Sequence, residues 1–526
     1  MKYLLLTAYL AFAWRRLSTY LHIFQQEEYQ PVRFIRWLFV TRSLDLRVSV
    51  VILVVGALQF AIRLDPNVGA LFITAALLGI ALYEKKLRAA SKKKLVMTPR
   101  ATRIYWVAFS VVALIGVLYA FTEVPLLLWL VPVHAVPFAL PIATLILAPQ
   151  ERSVQKKFWN EAHGKLKSIN PTVIGITGSY GKTSTKHLLG HILELQAPTL
   201  ITPGSVNTPM GVSRVIREQL GAHHRFFVCE MGAYGPGSIA RLCRLAPPDV
   251  AVITAIGMAH YERFKTLDTV ATAKFELAHA AAQRHGETIL SDSVLEFETA
   301  RAFKAQHPEK TVAVGFNSQS EFRIVNAGQT RDGIMAQLMW KDQLHTLRAP
   351  IFGEHHIGNM AVAFATACCV GIVPQDAILA LHSAPQISHR LEVKEGPNGS
   401  RLIDDAYNSN PVGFASALKL LNDLRVEGGR RILVTPGMVE LGTAHEEEHE
   451  KIGLLAKSTV DILLAVVPAR IASLVAGFQL DHPAAVVVPC PNFAAAQAWM
   501  NANLGPADIV LLENDLPDLY EKQLSL

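Results

Sequence analysis

The sequence predicts an α/β protein in three parts: N-terminal transmembrane α-helices, a doubly wound central domain and a C-terminal Rossmann-like α/β domain. Three observations predict it. Long apolar runs crowd the first 149 residues. From Thr172 onward, short β-branched runs alternate with helical stretches, the pattern of a mostly parallel sheet covered on both faces. Finally, Ile174-Gly-Ile-Thr-Gly-Ser-Tyr-Gly-Lys-Thr-Ser-Thr-Lys186 reads as a buried strand turning through glycines into a helix, so the central domain is a P-loop domain.

A chain of 526 residues has room for about three domains of about 100–200 residues each. The expected parts are a membrane region over 1–149, a polar helical linker over 150–170, the central domain over 171–385 and the C-terminal domain over 386–526. In the first part, Val48–Leu64, Gly69–Tyr83, Ile104–Phe121 and Leu126–Leu147 approach the ~17–25 residues that a spanning helix needs. Tyr3–Trp14 is a fifth or an interfacial helix. Arg15-Arg16 follows it and no small-residue cleavage site does, so it is not read as a signal peptide. The runs hold no Asp, Glu or Lys, and their one Arg, Arg63, lies at an edge; this argues against a permeation path.

Basic residues cluster at 15–47 and 85–103, so those loops and everything after Pro149 are expected on the cytoplasmic side. The net charge of +7 sits largely in these loops, and attraction to anionic membrane lipid accounts for it without nucleic acid. Cys229, Cys243, Cys368, Cys369 and Cys490 show no metal-ligand spacing and read as reduced core thiols.

In the central domain, strands are expected at Thr172–Thr177, Arg225–Glu230, Val250–Thr254, Glu287–Leu290 and Thr311–Gly315. Short β-segments fill 321–350, and an Ala-rich helix covers Gly358–Val370. A further α/β unit begins near Ser388, with strands at Ser400–Asp404, Arg431–Thr435, Ile462–Ala465, Ala485–Val488 and Ile509–Leu512.

The loop departs from G-x-x-x-x-G-K-[ST], because the working pattern is Thr177-Gly-x-x-Gly-Lys-Thr183. Gly178 and Gly181 permit a tight turn that points N–H groups, with those of Ser179, Tyr180 and Ser184, at phosphate oxygens. Lys182 supplies a mobile charge, and the Thr183 hydroxyl can ligate Mg²⁺. Glu230 ends the strand beside the loop strand, on the side where such sheets bind ligands.

Further motifs follow in order: Val228-Cys-Glu-Met-Gly-Ala233, Val252-Ile-Thr-Ala-Ile-Gly-Met-Ala-His260, Ala271-Thr-Ala-Lys-Phe-Glu-Leu277, Gly353-Glu-His-His-Ile-Gly-Asn359 and Ile403-Asp-Asp-Ala-Tyr-Asn-Ser-Asn-Pro411. With the loop, this order resembles the Mur ligase superfamily over about residues 170–450. It is most similar to those members that add D-alanyl-D-alanine to a UDP-linked muramoyl tripeptide.

The resemblance implies an ATP-dependent amide ligase of a bacterial envelope or peptidoglycan pathway, working through an acyl phosphate. Its substrates would be a small-molecule carboxylate and an amino acid or peptide acceptor. The seat would be a multi-pass protein of the inner membrane with cytoplasmic catalytic domains. Thr183, Glu230 and His260 would hold Mg²⁺, with Lys182, His260 and Lys274 catalytic and Lys274 carried as a carbamate. Without that resemblance, Lys274 reads as a solvated helix lysine paired with Glu276. Asn359, Arg390, Asp405, Tyr407 and Asn408 would join the loop in binding nucleotide, and Asn207 and Thr208 would face the carboxylate substrate, although turn residues fit their setting as well.

Three departures stand out. A membrane region occupies the place of the family's UDP-sugar domain, which suits a lipid-linked donor. Pro436-Gly-Met438 replaces Gly-Asp-Met, and Glu513-Asn-Asp replaces the Lys-Gly-Ser segment associated with the amino substrate. A poly-γ-glutamate-type synthase and a non-catalytic membrane scaffold remain alternatives.

Overall fold

A computed structural model describes residues 1–27, 29–41, 43–89, 95–122, 124–257, 264, 266–330, 332–406, 409–439, 441–481 and 485–514. The chain divides into two compact units, one up to Val154 and the other from Gln155 on.

The first unit is helical: α1 (Lys2–Gln26), α2 (Pro31–Val40), α3 (Leu46–Ile62), α4 (Pro66–Ala89), α5 (Pro99–Phe121) and, after a 3₁₀ turn at Leu126–Trp129, α6 (Leu130–Ile169), which runs on into the second unit. Each apolar run expected from the sequence forms a helix, and among the described residues two of them, Pro99–Phe121 and Leu126–Ile169, are long and apolar enough to cross a bilayer. Leu46–Ile62 has 17 residues, and at about 1.5 Å per residue it reaches about 26 Å, short of a hydrocarbon core of about 30 Å. α4 carries its apolar run to Tyr83, after which Glu84 and two lysines follow. Close crossings rest on small residues: a Cβ on Gly116 would lie 2.6 Å from the Tyr9 ring, and one on Gly69 would lie 2.8 Å from Val55.

Although the apolar runs carry no interior acid, lysine or arginine, the bundle encloses an ion pair. Arg16 of α1 reaches Asp45, the cap of α3, at 3.3 Å, with side chains 4% and 5% exposed. Ser49 bonds the Asp45 carbonyl at 2.6 Å and lies 2.8 Å from His134 Nε2, so the pair belongs to a polar chain across helices.

The second unit contains two sheets. The larger has, among the described residues, nine strands in the order β2-β3-β1-β4-β5-β6-β7-β8-β9. These are β1 (Thr172–Thr177), β2 (Thr199–Ile201), β3 (Phe226–Glu230), β4 (Val250–Ile253), β5 (Glu287–Ser291), β6 (Thr311–Gly315), β7 (Phe322–Thr330), β8 (Gly333–Trp340) and β9 (Gln343–Ala349). Strands β2 to β7 pair in parallel and β7 to β9 form an antiparallel extension, so the sheet is mixed.

Burial on both faces explains the continuous apolar strands. Ile174 and Ile176 pack with α7 (Lys182–Glu194) and the helix His355–Cys369, while Val173, Phe227 and Cys229 pack with the helices Pro209–Gln219, Ser238–Leu245 and Leu267–Ala282. Gly175 lets the last of these sit close, since a Cβ there would lie 2.7 Å from Leu277.

The second sheet runs β10-β11-β15-β12-β13-β14, from β10 (Glu392–Glu395), β11 (Arg401–Asp405), β12 (Arg431–Thr435), β13 (Ile462–Val466), β14 (Val486–Cys490) and β15 (Ile509–Glu513). All pairings are parallel except β10 with β11. One face is covered by the helices Pro411–Asp423, His445–Thr459 and Ala472–Gln479, and the other by Phe493–Asn503. The short edge strands β2 and β10 have no distinct apolar signature; neither is expected from the sequence. The five cysteines are free thiols, buried or half-buried, and burial raises each of them.

Candidate active site

Strand β1 ends at Thr177 and α7 begins at Lys182, so residues 178–181 make the whole turn. Gly181 caps α7 at φ 81°, in the left-handed region that favours glycine, and a Cβ there would lie 2.2 Å from Asn359 Oδ1. The loop is stitched to the residues after β4. Ser179 N–H donates to Ala255 O at 2.7 Å, its hydroxyl donates to Gly257 O at 3.0 Å, and Thr254 Oγ1 donates to Tyr180 O at 2.5 Å. The first-turn N–H groups of α7 are thereby held at a glycine turn, where a helix offers unpaired donors to an anion. Ser184 lies buried in that turn.

Lys182 Nζ folds back onto Gly178 O at 2.6 Å and Ser179 O at 3.1 Å. Burial lowers its pKa, and Arg390 and Lys186 add to that while Glu230 opposes it. Thr183 Oγ1 donates to Glu230 Oε2 at 3.0 Å. Two hard oxygen donors side by side at a phosphate-type loop fit Mg²⁺ in chemistry, and Thr183 and Glu230 are the residues that would hold it.

Sequence reasoning missed Lys186. It is fully buried, 3.0 Å from Glu230 Oε2, and also donates to Gly204 O. Asn207 Nδ2 donates to Glu230 Oε1 at 3.1 Å, and its Oδ1 accepts from Tyr234 at 3.0 Å. Burial would raise Glu230, but the charges of Lys186 and Lys182 and these hydrogen bonds outweigh it and hold the carboxylate below its ordinary value. The signal for Lys186 was its position in α7 on the face shared with Leu189 and Leu193, which is a buried face.

Lys274 is 4% exposed and lines one pocket with Gly178, Ser179, Lys182, Asn207 and Tyr234. Its expected partner Glu276 instead accepts from Gly237 N at 2.6 Å and Ala240 N at 2.8 Å, capping another helix. Burial and the charge of Lys182 push Lys274 well below the usual lysine range. Thr208 caps the helix Pro209–Gln219 through Gly211 N, which is a turn role, whereas Asn207 is committed to Glu230 and Tyr234.

Asn359 lies against Gly181 and Thr185, with Nδ2 3.2 Å from His356 Nδ1. Arg390 is half-buried, and its charge lowers Lys182, Lys186, His355 and His356 as well as Asp405 and Glu513, which places it between the loop and the second sheet. The two domains also meet where His355 Nδ1 lies 3.0 Å from Ser416 Oγ and where Lys419 pairs with Glu354. His260, Tyr407 and Asn408 lie outside the described residues.

Comparison with known proteins agrees with this arrangement. Residues 176–367 match the Mur ligase middle domain, and 389–513 match the Mur ligase, glutamate ligase domain. The UDP-N-acetylmuramoyl-tripeptide--D-alanyl-D-alanine ligase of Bacillus subtilis (strain 168) is 31% identical over 293 residues, 56% of this chain and 62% of that protein. The enzyme of the same name from Mycobacterium tuberculosis (strain H37Rv) is 31% identical over 366 residues, 65% of this chain and 70% of its own. Among solved structures, the MurF ligase of Thermotoga maritima in complex with ADP superposes with a TM-score of 0.58 at 24% identity, over 69% of this chain and 80% of that one. MurF from Acinetobacter baumannii gives 0.58 at 24% identity, over 68% and 77%. The likeness to these solved structures concerns the fold. From the loop to the end of the second sheet, the chain belongs to the Mur ligase family.

Proposed function

We propose that the chain is an ATP-dependent ligase that joins a carboxylate to an amine, MurF-like in its chemistry and serving peptidoglycan precursor synthesis. One observation carries the reading: the loop lysine and a buried Lys274 line one pocket with Asn207, which bonds the Glu230 of the Thr183–Glu230 oxygen pair.

In the reaction, a substrate carboxylate oxygen attacks the γ-phosphorus of ATP and ADP leaves. The amine then attacks the acyl carbon, phosphate departs and the amine loses a proton. The protein's part is positioning and charge neutralisation. The α7 N–H groups and Lys182 hold phosphate oxygens, and Arg390 adds charge from the second sheet. Mg²⁺ held by Thr183 and Glu230, with His260 at a second metal, would neutralise the charge developing on the phosphates. Burial favours the uncharged form of Lys274, the form that adds CO₂ to make a carbamate. Asn359, Asp405, Tyr407 and Asn408 are assigned to the nucleoside, and Asn207 to the carboxylate donor.

The donor is UDP-linked or lipid-linked, and the helical unit before the ligase domains favours delivery at a membrane. The basic stretches at 15–47 and 85–103 support an inner-membrane seat with cytoplasmic ligase domains and attraction to anionic lipid. The acceptor is an amino acid or short peptide.

The test is phosphate release by the purified full-length protein with ATP and Mg²⁺. Donors would be UDP-linked and lipid-linked muramoyl peptides, each offered D-alanyl-D-alanine or single amino acids. Release with one pair, abolished by Lys182→Ala, is the expected result; no release with any pair overturns the ligase reading in favour of a scaffold.

A further inference from the structure

Glu513 ends β15, and the structure shows what it faces. Strands β11 and β15 pair in parallel with Asp405 directly opposite Glu513, both at the C-terminal ends of their strands. The two side chains are 6% and 0% exposed. Glu513 Oε1 accepts from the Ser409 hydroxyl, whereas its Oε2 is buried with no donor in reach among the described residues.

Asp405 Oδ1 accepts from Leu391 N at 3.3 Å, the residue after Arg390, and Asn514 N–H donates to Asp405 O at 3.1 Å. The two carboxyl groups are themselves within hydrogen-bonding reach. Two buried carboxylates cannot bond one another without a proton between them, so the geometry calls for a shared proton. Arg390 faces both groups, while neighbouring Asp404 turns away to His389 at 3.0 Å and Lys394 at 2.6 Å.

We propose that Glu513 is a positioning residue for Asp405: its carboxyl proton bridges the two strand ends and, with the Ser409 hydroxyl on its other oxygen, holds the Asp405 carboxylate toward the nucleoside. This rests on the nucleotide-site reading given above. Burial pushes Asp405 up to about 7, against the opposing charge of Arg390, and burial with the Asp405 charge raises Glu513 well above its ordinary range. The pair therefore titrates as a unit. As pH rises the pair gives up one proton and shares the other; loss of that second proton leaves two adjacent carboxylates that repel.

The test is the affinity of the full-length protein in detergent for a fluorescent ATP analogue with Mg²⁺, from pH 6 to pH 9.5. Wild-type affinity should rise near pH 7 and fall again in the alkaline range. Glu513→Gln, whose amide N–H cannot be titrated away, should keep the rise and abolish the alkaline fall. Glu513→Ala should bind ten-fold or more weakly at pH 7.5, and Asp405→Asn should remove the acid limb. Superimposable wild-type and Glu513→Gln profiles, or equal weakness of the Gln and Ala variants, overturn the pairing while leaving the ATP site standing. A wild-type protein that binds no ATP at any pH overturns the nucleotide-site reading, and the pair's role falls with it.

Discussion

Replacing Lys186 by Met removes one partner of a fully enclosed ion pair. The Lys186 and Glu230 side chains are 0% and 1% exposed at 3.0 Å, so water cannot take over the lost charge. Breaking a buried pair from one side costs about 3–5 kcal/mol, because an uncompensated charge remains. Thr183 and Asn207 still donate to Glu230, which argues for the lower part of that range.

At about 2–4 °C per kcal/mol for a domain of this size, the unfolding midpoint should drop by about 6–20 °C. The pH dependence gives a sharper signature. In the wild type Glu230 sits below its ordinary 4.5, so its contribution is complete above that pH and is lost as pH falls through the lower folded value. In Lys186→Met, burial is opposed mainly by Lys182, and the folded value rises. The variant is then closest to wild type in acid and loses ground as pH rises through the raised value. Differential scanning calorimetry of both proteins between pH 4 and pH 8 reads this directly. A midpoint difference of under about 2 °C, or one that shrinks toward pH 8, refutes the reasoning.

Other outcomes follow from single distances. Gly181→Ala forces a Cβ against Asn359 at φ 81° and should weaken nucleotide binding at least ten-fold in a titration. Lys274→Met should leave nucleotide affinity within about three-fold but lower phosphate release at least a hundred-fold, and bicarbonate depletion should lower release in the wild type alone. In the helical unit, Arg16→Met should cost about 3–5 kcal/mol and Arg16→Met with Asp45→Leu distinctly less, read as detergent-resistant midpoint. Lys419→Ala, at a pair exposed by 53% and 44%, should shift the midpoint by under about 2 °C.

Much of the fold was legible because its cause is local. Thr172–Thr177, Thr311–Gly315 and Arg431–Thr435 form strands with the bounds their β-branched runs suggest. The loop at 178–181 could be located because only glycine serves at positions of tight approach. Spans were harder to judge, since an apolar run marks a helix but does not set how far the helix continues. Leu46–Ile62 falls short of a bilayer, whereas α6 carries on through Pro137, Pro141 and Pro149 to Ile169. The short strands β2 and β10 escaped notice because their residues are only partly buried and carry little pattern.

By itself the sequence determined the α/β architecture, the order of its motifs and the family, since each depends on residues close together in the chain or on their succession. Only the tertiary structure decided which charges meet. Lys186 and Glu230 lie 44 residues apart in the chain, and Asp405 and Glu513 are neighbours solely because β11 pairs with β15. Lys274 is buried because its helix lies on the sheet, and Glu276 is drawn away to cap another helix. Coulomb attraction, desolvation and proton sharing act over a few ångströms of space and are indifferent to separation along the chain. The chemistry of this cleft was therefore settled by folding.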